Sequence, residues 1–346
     1  MKRIGFVLAL VWLLAVPVSA MELTPPTVPP QAEQLLPAET ESFAEGLWSI
    51  LKSAIAQLAP NIAAAAGSAL AITAIVLLAS VFNATPGNSK RMIRLVCAIS
   101  LATILIGQAN TMVNLCAGTI REISDYGKLL LPVLTTGLAA QGGVTSATAL
   151  YAGTTVFNTV LTAVIGKVLV PMVYIYLALS VANSAAGEEL LKKLRDFVKW
   201  LMIWCLKTIL YVYTAYMSIT GVITGTADAA AVKAAKLTIS GVVPVVGGIL
   251  SDASETVLVS AGVMKNAVGI YGCLAVTAIL ILPFMRIAVQ YLILKLTAAL
   301  CGVFGVKNAS ELIEDFSTAM GVLLGMAGAV SFLMLISIIC FMKGMG

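Results

Sequence analysis

The sequence predicts an all-α polytopic membrane protein, with about seven transmembrane helices, two broken or re-entrant helical elements and a candidate internal repeat. Three observations carry that expectation. Of 346 residues, 60% are hydrophobic and only 11% charged, whereas soluble globular domains carry about 25% charged residues. The mean hydropathy is +1.01, and the basic residues form short clusters flanking apolar runs, as cytoplasmic loops do. Two apolar segments, 129–140 and 237–251, are too short to cross a hydrocarbon core of about 30 Å as regular helices.

The first 20 residues, MKRIGFVLALVWLLAVPVSA, pair two basic residues with a short apolar run and a small-residue site at Ala20. They read as a signal peptide that leaves the mature N-terminus outside the cytoplasm. Residues 21–60 then form an extracytoplasmic unit. It begins as a linker with Pro25, Pro26, Pro29, Pro30 and Pro37, expected to be extended. Residues 42–58 follow as an amphipathic helix, with Ser42 and Glu45 in capping positions, that either lies on the outer membrane surface or packs as a helix ahead of the first span. The transmembrane domain occupies 61–346.

Its first span, 61–82, ends at Lys90, Arg91 and Arg94, which mark the cytoplasmic side. A second span, 95–113, leads to an outer loop, IREISDYGK, and then to the broken segment around Pro132. A Gln141-Gly142-Gly143 break precedes a long apolar run from Ala147 to Ser184, interrupted by Lys167 and Pro171, which holds one span at about 168–182 and a half-span or full span before it. The loop GEELLKKLRDFVKW is the most basic segment and is expected in the cytoplasm. Residues 201–223 cross outward to the segment KLTISGVVPVVGGILSDASETVLVSAGVMK, 236–265. Here Gly241, Pro244, Gly247 and Gly248 interrupt the short apolar part, and Asp252 follows it. The remaining spans are 268–284, a turn at Arg286, 287–304 outward with Lys295 near its middle, an outer acidic loop at 307–315, and 319–341. Lys343 is left in the cytoplasm. Pro132 and Pro244 each open a Pro-Val pair, and Pro171 and Pro283 follow at equal distance, which is the basis for the candidate repeat.

The chemistry is sparse. There is no histidine, and none of the six cysteines forms a CxxC pair. No nucleophile–base pattern, phosphate loop or metal-ligand spacing occurs, so no enzyme, cofactor, metal or nucleic-acid role is expected. The cysteines read as small buried hydrophobes. Candidate pathway residues are the breakers of the two short segments (Pro132, Gly241, Pro244, Gly247, Gly248), the adjacent Asp252, and Lys295, the charge placed deepest in a span.

The stretches ADAAAVKAAKLTISGVVPVVGGILSDASETVLVSAGVMKNAVGIYG, YLILKLTAALCGVFG and ELIEDFSTAMG resemble the stage III sporulation protein AE family of endospore-forming bacteria. That resemblance implies a multi-pass protein of the mother-cell membrane around the forespore. It also implies partners from the same operon (an ATPase, small membrane proteins and ring-forming proteins) and a forespore membrane protein. Together these would form a feeding-tube or secretion-like channel needed for forespore development. Two other readings stand beside it: a permease moving a small solute, and a structural platform anchoring the rings.

Overall fold

A computed structural model of the protein describes residues 26–37, 43–83, 90–140, 144–219 and 267–344. Among these residues the chain is built from helices. They are α1 (Pro30–Glu33), α2 (Phe43–Ala56), α3 (Ala59–Asn83), α4 (Lys90–Ala140), α5 (Val144–Val164), α6 (Val170–Ala186), α7 (Glu189–Ile219), α8 (Ala267–Val303) and α9 (Lys307–Gly344); a π-helical segment, Ile165–Leu169, joins α5 to α6 without a break. Six helical stretches in the described residues are long and apolar enough to cross a membrane.

The centre of the bundle is α9. A helix that is apolar on every side has no face to give to water and belongs in a core. From Phe316 to Met342 its side chains are almost without exception buried, and 94% of its most apolar window is buried, against 22% for α3. Around it stand α4, α5, α6, α7 and α8; α3 lies outside them against α4 and α8, and α1 and α2 lie on α8.

Cross-helix contacts fix the directions. Cys116 Sγ of α4 approaches Leu323 O of α9, and a Cβ on Gly127 would meet Met334, eleven residues further on in both helices, so α4 and α9 are parallel. Likewise α7 runs parallel to α9, since Arg195 meets Asp315 and Tyr213 meets Leu333 O. The α6 and α8 helices run the other way. Tyr176 reaches Asp315 and Ser184 reaches Asn308 O, while Ser317 reaches Tyr291 O and Ser310 reaches Ala298 O. One end of the bundle therefore gathers the starts of α4, α7 and α9 with the ends of α3, α6 and α8. The tight reversals at this end use glycine with positive φ: Gly187, φ 74°, after α6, and Gly305, φ 76°, before α9.

Several expected boundaries are corrected. The IREISDYGK segment is not a loop, and 129–140 is not a separate broken element. Both belong to α4, which runs 51 residues with Pro132 inside it, or roughly 75 Å. Its length places Arg121, Glu122, Asp125 and Lys128 part-way along a rod that exceeds the bilayer, so charge there does not require a turn. Pro132 removes one N–H and so leaves the carbonyl of Lys128, four residues back, without its intrahelical donor; just beyond it, Thr135 and Thr136 donate their hydroxyls to Leu131 O at 2.7 Å and Pro132 O at 2.8 Å. Arg286 likewise lies within the single 37-residue α8, where two spans and a turn were expected.

Among the described residues, the 307–315 segment joins the end holding the basic starts of α4 and α7, where the opposite end was expected, and Lys343 lies at the far end of α9. The linker is not wholly extended: α1 starts with Pro30 at its first position, and Val28, Ala32 and Leu35 are buried. The α2 helix turns Gly46, Ile50 and Ala54 inward and leaves Leu47, Trp48 and Ile55 exposed. The expected 236–265 element lies outside the described residues.

Candidate functional site

Two polar constellations interrupt the apolar bundle. The first sits where α6 ends and α7 and α9 begin. Arg195, with its side chain 6% exposed, donates through Nη1 to Asp315 Oδ2 at 2.7 Å and to Glu311 Oε1 at 3.1 Å. Its Nε and Nη2 donate to Asp196 Oδ1 at 3.1 and 2.9 Å. Tyr176 Oη donates to the other oxygen of Asp315 at 3.1 Å, and Lys192 lies 3.6 Å from Glu311. Glu311 and Asp315 are four residues apart and so share one face of α9, which lets one guanidinium bind both. A cavity of about 180 Å³ opens beside them, lined by Asn183, Lys192, Lys307 and Glu311 among others. A buried ionic cluster with nearly every donor and acceptor used joins helices rigidly.

The second is a groove of about 480 Å³ between α4 and the α5–π–α6 rod. Arg121 and Lys128 line it from α4 and Lys167 from the π segment, together with Asn114, Thr159 and Thr162. Lys128 binds Asp125 at 2.7 Å, and Tyr174 Oη donates to Asn110 Oδ1 at 2.8 Å across the two helices. A π segment carries one residue more than regular α-helix needs and recurs at functional sites. Here the extra residue turns Gly166 and Lys167 to the groove. Most threonines along these helices give their hydroxyl to the carbonyl four residues back, as Thr111, Thr119 and Thr148 do. The hydroxyl of half-buried Thr162, just before the π segment, is buried with no partner among the described residues, and so is Asn158 Oδ1 one turn earlier.

Of the residues singled out from sequence, Pro132 sits near the end of α4. Lys295 lies on α8 at the bundle surface, where it donates to Glu314 of α9. The two are not brought together. Gly241, Pro244, Gly247, Gly248 and Asp252 lie outside the described residues. All six cysteines are unpaired and five are fully buried, with Cys205 half-buried. Both polar constellations were missed in the sequence. For the first, the available signal was the Glu311/Asp315 spacing opposite a basic segment. For the second it was Lys167, which had read as a mere interruption of an apolar run.

A helix-filled bundle with long apolar rods and buried interhelical ion pairs defines a polytopic α-helical membrane protein. No solved structure matches this chain. The profile of the family described as stage III sporulation protein AE matches residues 36–344, and the chain belongs to that family. It is 22% identical over 200 residues to the stage III sporulation protein AE of Bacillus subtilis (strain 168); the match covers 58% of this chain and 50% of that relative. The chain thus spans about half the length of the curated relative it matches.

Proposed function

We propose that this protein is a membrane core subunit of the channel complex linking mother cell and forespore during sporulation. It would act in the mother-cell membrane around the forespore and catalyse no reaction itself. Its partners would be an ATPase, small membrane proteins, ring-forming proteins and a forespore membrane protein. Family membership supports the sporulation role. The observation that carries the subunit reading is α9, whose side chains fill the bundle axis. A solute moved by alternating access needs a site reached in turn from each face, and a packed central helix is better suited to holding a scaffold against partners.

Orientation follows from charge. The starts of α4 and α7 carry Lys90, Arg91, Arg94, Lys192, Lys193, Arg195 and Lys199 at one end, which we assign to the cytoplasm. Reconstitution tests the reading. The purified chain alone in vesicles should leave solute flux at background, and flux should arise only with the ATPase and ring proteins. Solute flux through the chain alone would replace the subunit reading with the permease.

A further inference from the structure

The groove between α4 and the α5–π–α6 rod has a charge that its own lining does not balance. Three cations, Arg121, Lys128 and Lys167, line it, and no carboxylate does. Asp125 offsets Lys128, but among the described residues neither Arg121 nor Lys167 has an acidic partner within 4.0 Å. Unpaired cations flanked by apolar surface are costly unless an anion or water reaches them. The buried and unpartnered Thr162 hydroxyl adds a neutral donor beside them.

The height of the groove points to the source of the anion. On this flank, 26 apolar-rich residues separate Leu95 from Arg121, or roughly 39 Å of helix. Residues 167–186 cover roughly 30 Å in the same way. A core of about 30 Å starting at the basic end therefore stops near Lys167 and roughly 9 Å short of Arg121. Headgroup phosphates lie at that level. The groove has its own apolar lining, Val113, Ala117, Ile120, Ala163 and Val170, against which acyl chains can lie. Nearer the basic end on α4 and α6, Ile106 and Ile175 are 48% and 52% exposed.

We propose that this groove binds an anionic phospholipid, its phosphate held by Arg121, Lys167 and Thr162 and its acyl chains running along α4 and α6. The commitment to lipid rather than a free anion rests on the apolar residues that line the groove beside the three cations. Neither the channel nor the permease reading depends on it.

The test uses the full-length protein in nanodiscs of phosphatidylcholine doped with phosphatidylglycerol, with bound lipid measured by native mass spectrometry. Phosphatidylglycerol is expected to be retained in preference to phosphatidylcholine. The double variant R121Q/K167Q should bind it roughly tenfold more weakly, while R121K/K167R retains most of the binding. A K193Q/K199Q variant at the basic end serves as the charge-matched control and should bind as the unaltered protein does. Thermal stability of each variant in phosphatidylcholine alone reports whether it is folded. Equal retention of the two lipids, equal loss in the control, or displacement of phosphatidylglycerol by inorganic phosphate at millimolar concentration would each overturn the proposal.

Discussion

Arg195 of α7 and Asp315 of α9 meet at 2.7 Å with side chains only 6% and 10% exposed, and Tyr176 of α6 takes the remaining carboxylate oxygen. One carboxylate therefore ties three helices together at the basic end. Removing one member of such a buried pair strands the other and costs about 3–5 kcal/mol. Arg195→Ala should lower the thermal midpoint in detergent strongly, because Asp315 loses its cation and keeps only neutral hydroxyl partners such as Tyr176. Asp315→Asn should cost less, since Arg195 keeps Glu311 and Asp196. The double change R195M/D315L should recover much of the loss. A double variant less stable than R195A would show that the pair does more than satisfy itself.

The Gln108–Gln290 bridge makes a separate prediction. The amide of Gln290 donates to Gln108 Oε1 at 2.6 Å between α4 and α8. Interhelical bonds inside membrane bundles couple by about 0.6 kcal/mol on average and up to about 1.7. Each single change to leucine should destabilise, and the double change should be close to neutral, so a double-mutant cycle should return a positive coupling. A coupling of zero would mean that the two amides are each satisfied elsewhere.

Legibility in the sequence followed hydrophobicity and failed wherever charge marked something other than a loop. The spans 61–82 and 319–341 fall inside α3 and α9, because uninterrupted apolar runs have one structural solution in a bilayer. The charges at 121–128 and Arg286 resembled turns only on the assumption that every helix stops at the membrane surface. The α4 rod, at 51 residues, does not. The Arg195–Asp315 pair spans 120 residues of sequence, and no local pattern announces which of several cations will face α9. The groove depends on one surplus residue in 165–169, and a π segment has no composition that separates it from the α-helix around it.

That surplus residue can be removed. Since a π segment is in effect a one-residue insertion into α-helix, deleting Lys167 should convert Ile165–Leu169 to regular helix while keeping the faces of α5 and α6 in register. Tyr174 should still reach Asn110, and stability should fall only slightly. Inserting a second residue there instead would rotate α6 by about 100° relative to α5, turning Tyr174 away from α4 and Tyr176 away from Asp315. The expected order of thermal midpoints is therefore deletion well above insertion. Equal damage from both would mean that the segment is not an insertion in this sense.

Topology gives the sharpest separation between the seven-span and the six-span readings. Lys343 stands at the far end of α9, opposite the basic end, and Trp48 of α2 is 68% exposed. In a cysteine-free background, W48C and K343C should therefore label with an impermeant maleimide from the same face, and K193C from the other. Seven crossings with a turn at Arg286 require K343C to label together with K193C instead. The segment between α7 and α8 enters the same experiment. Ile219 and Ala267 both lie at the far end of the bundle, so S251C and D252C should label with W48C. Labelling from the face of K193C would require residues 220–266 to cross the membrane and return, and would add a hairpin to the six helices. With the starts of α4 and α7 in the cytoplasm, intact non-sporulating cells made to express the chain in their plasma membrane should label W48C, S251C, D252C and K343C, and K193C should react only after permeabilisation.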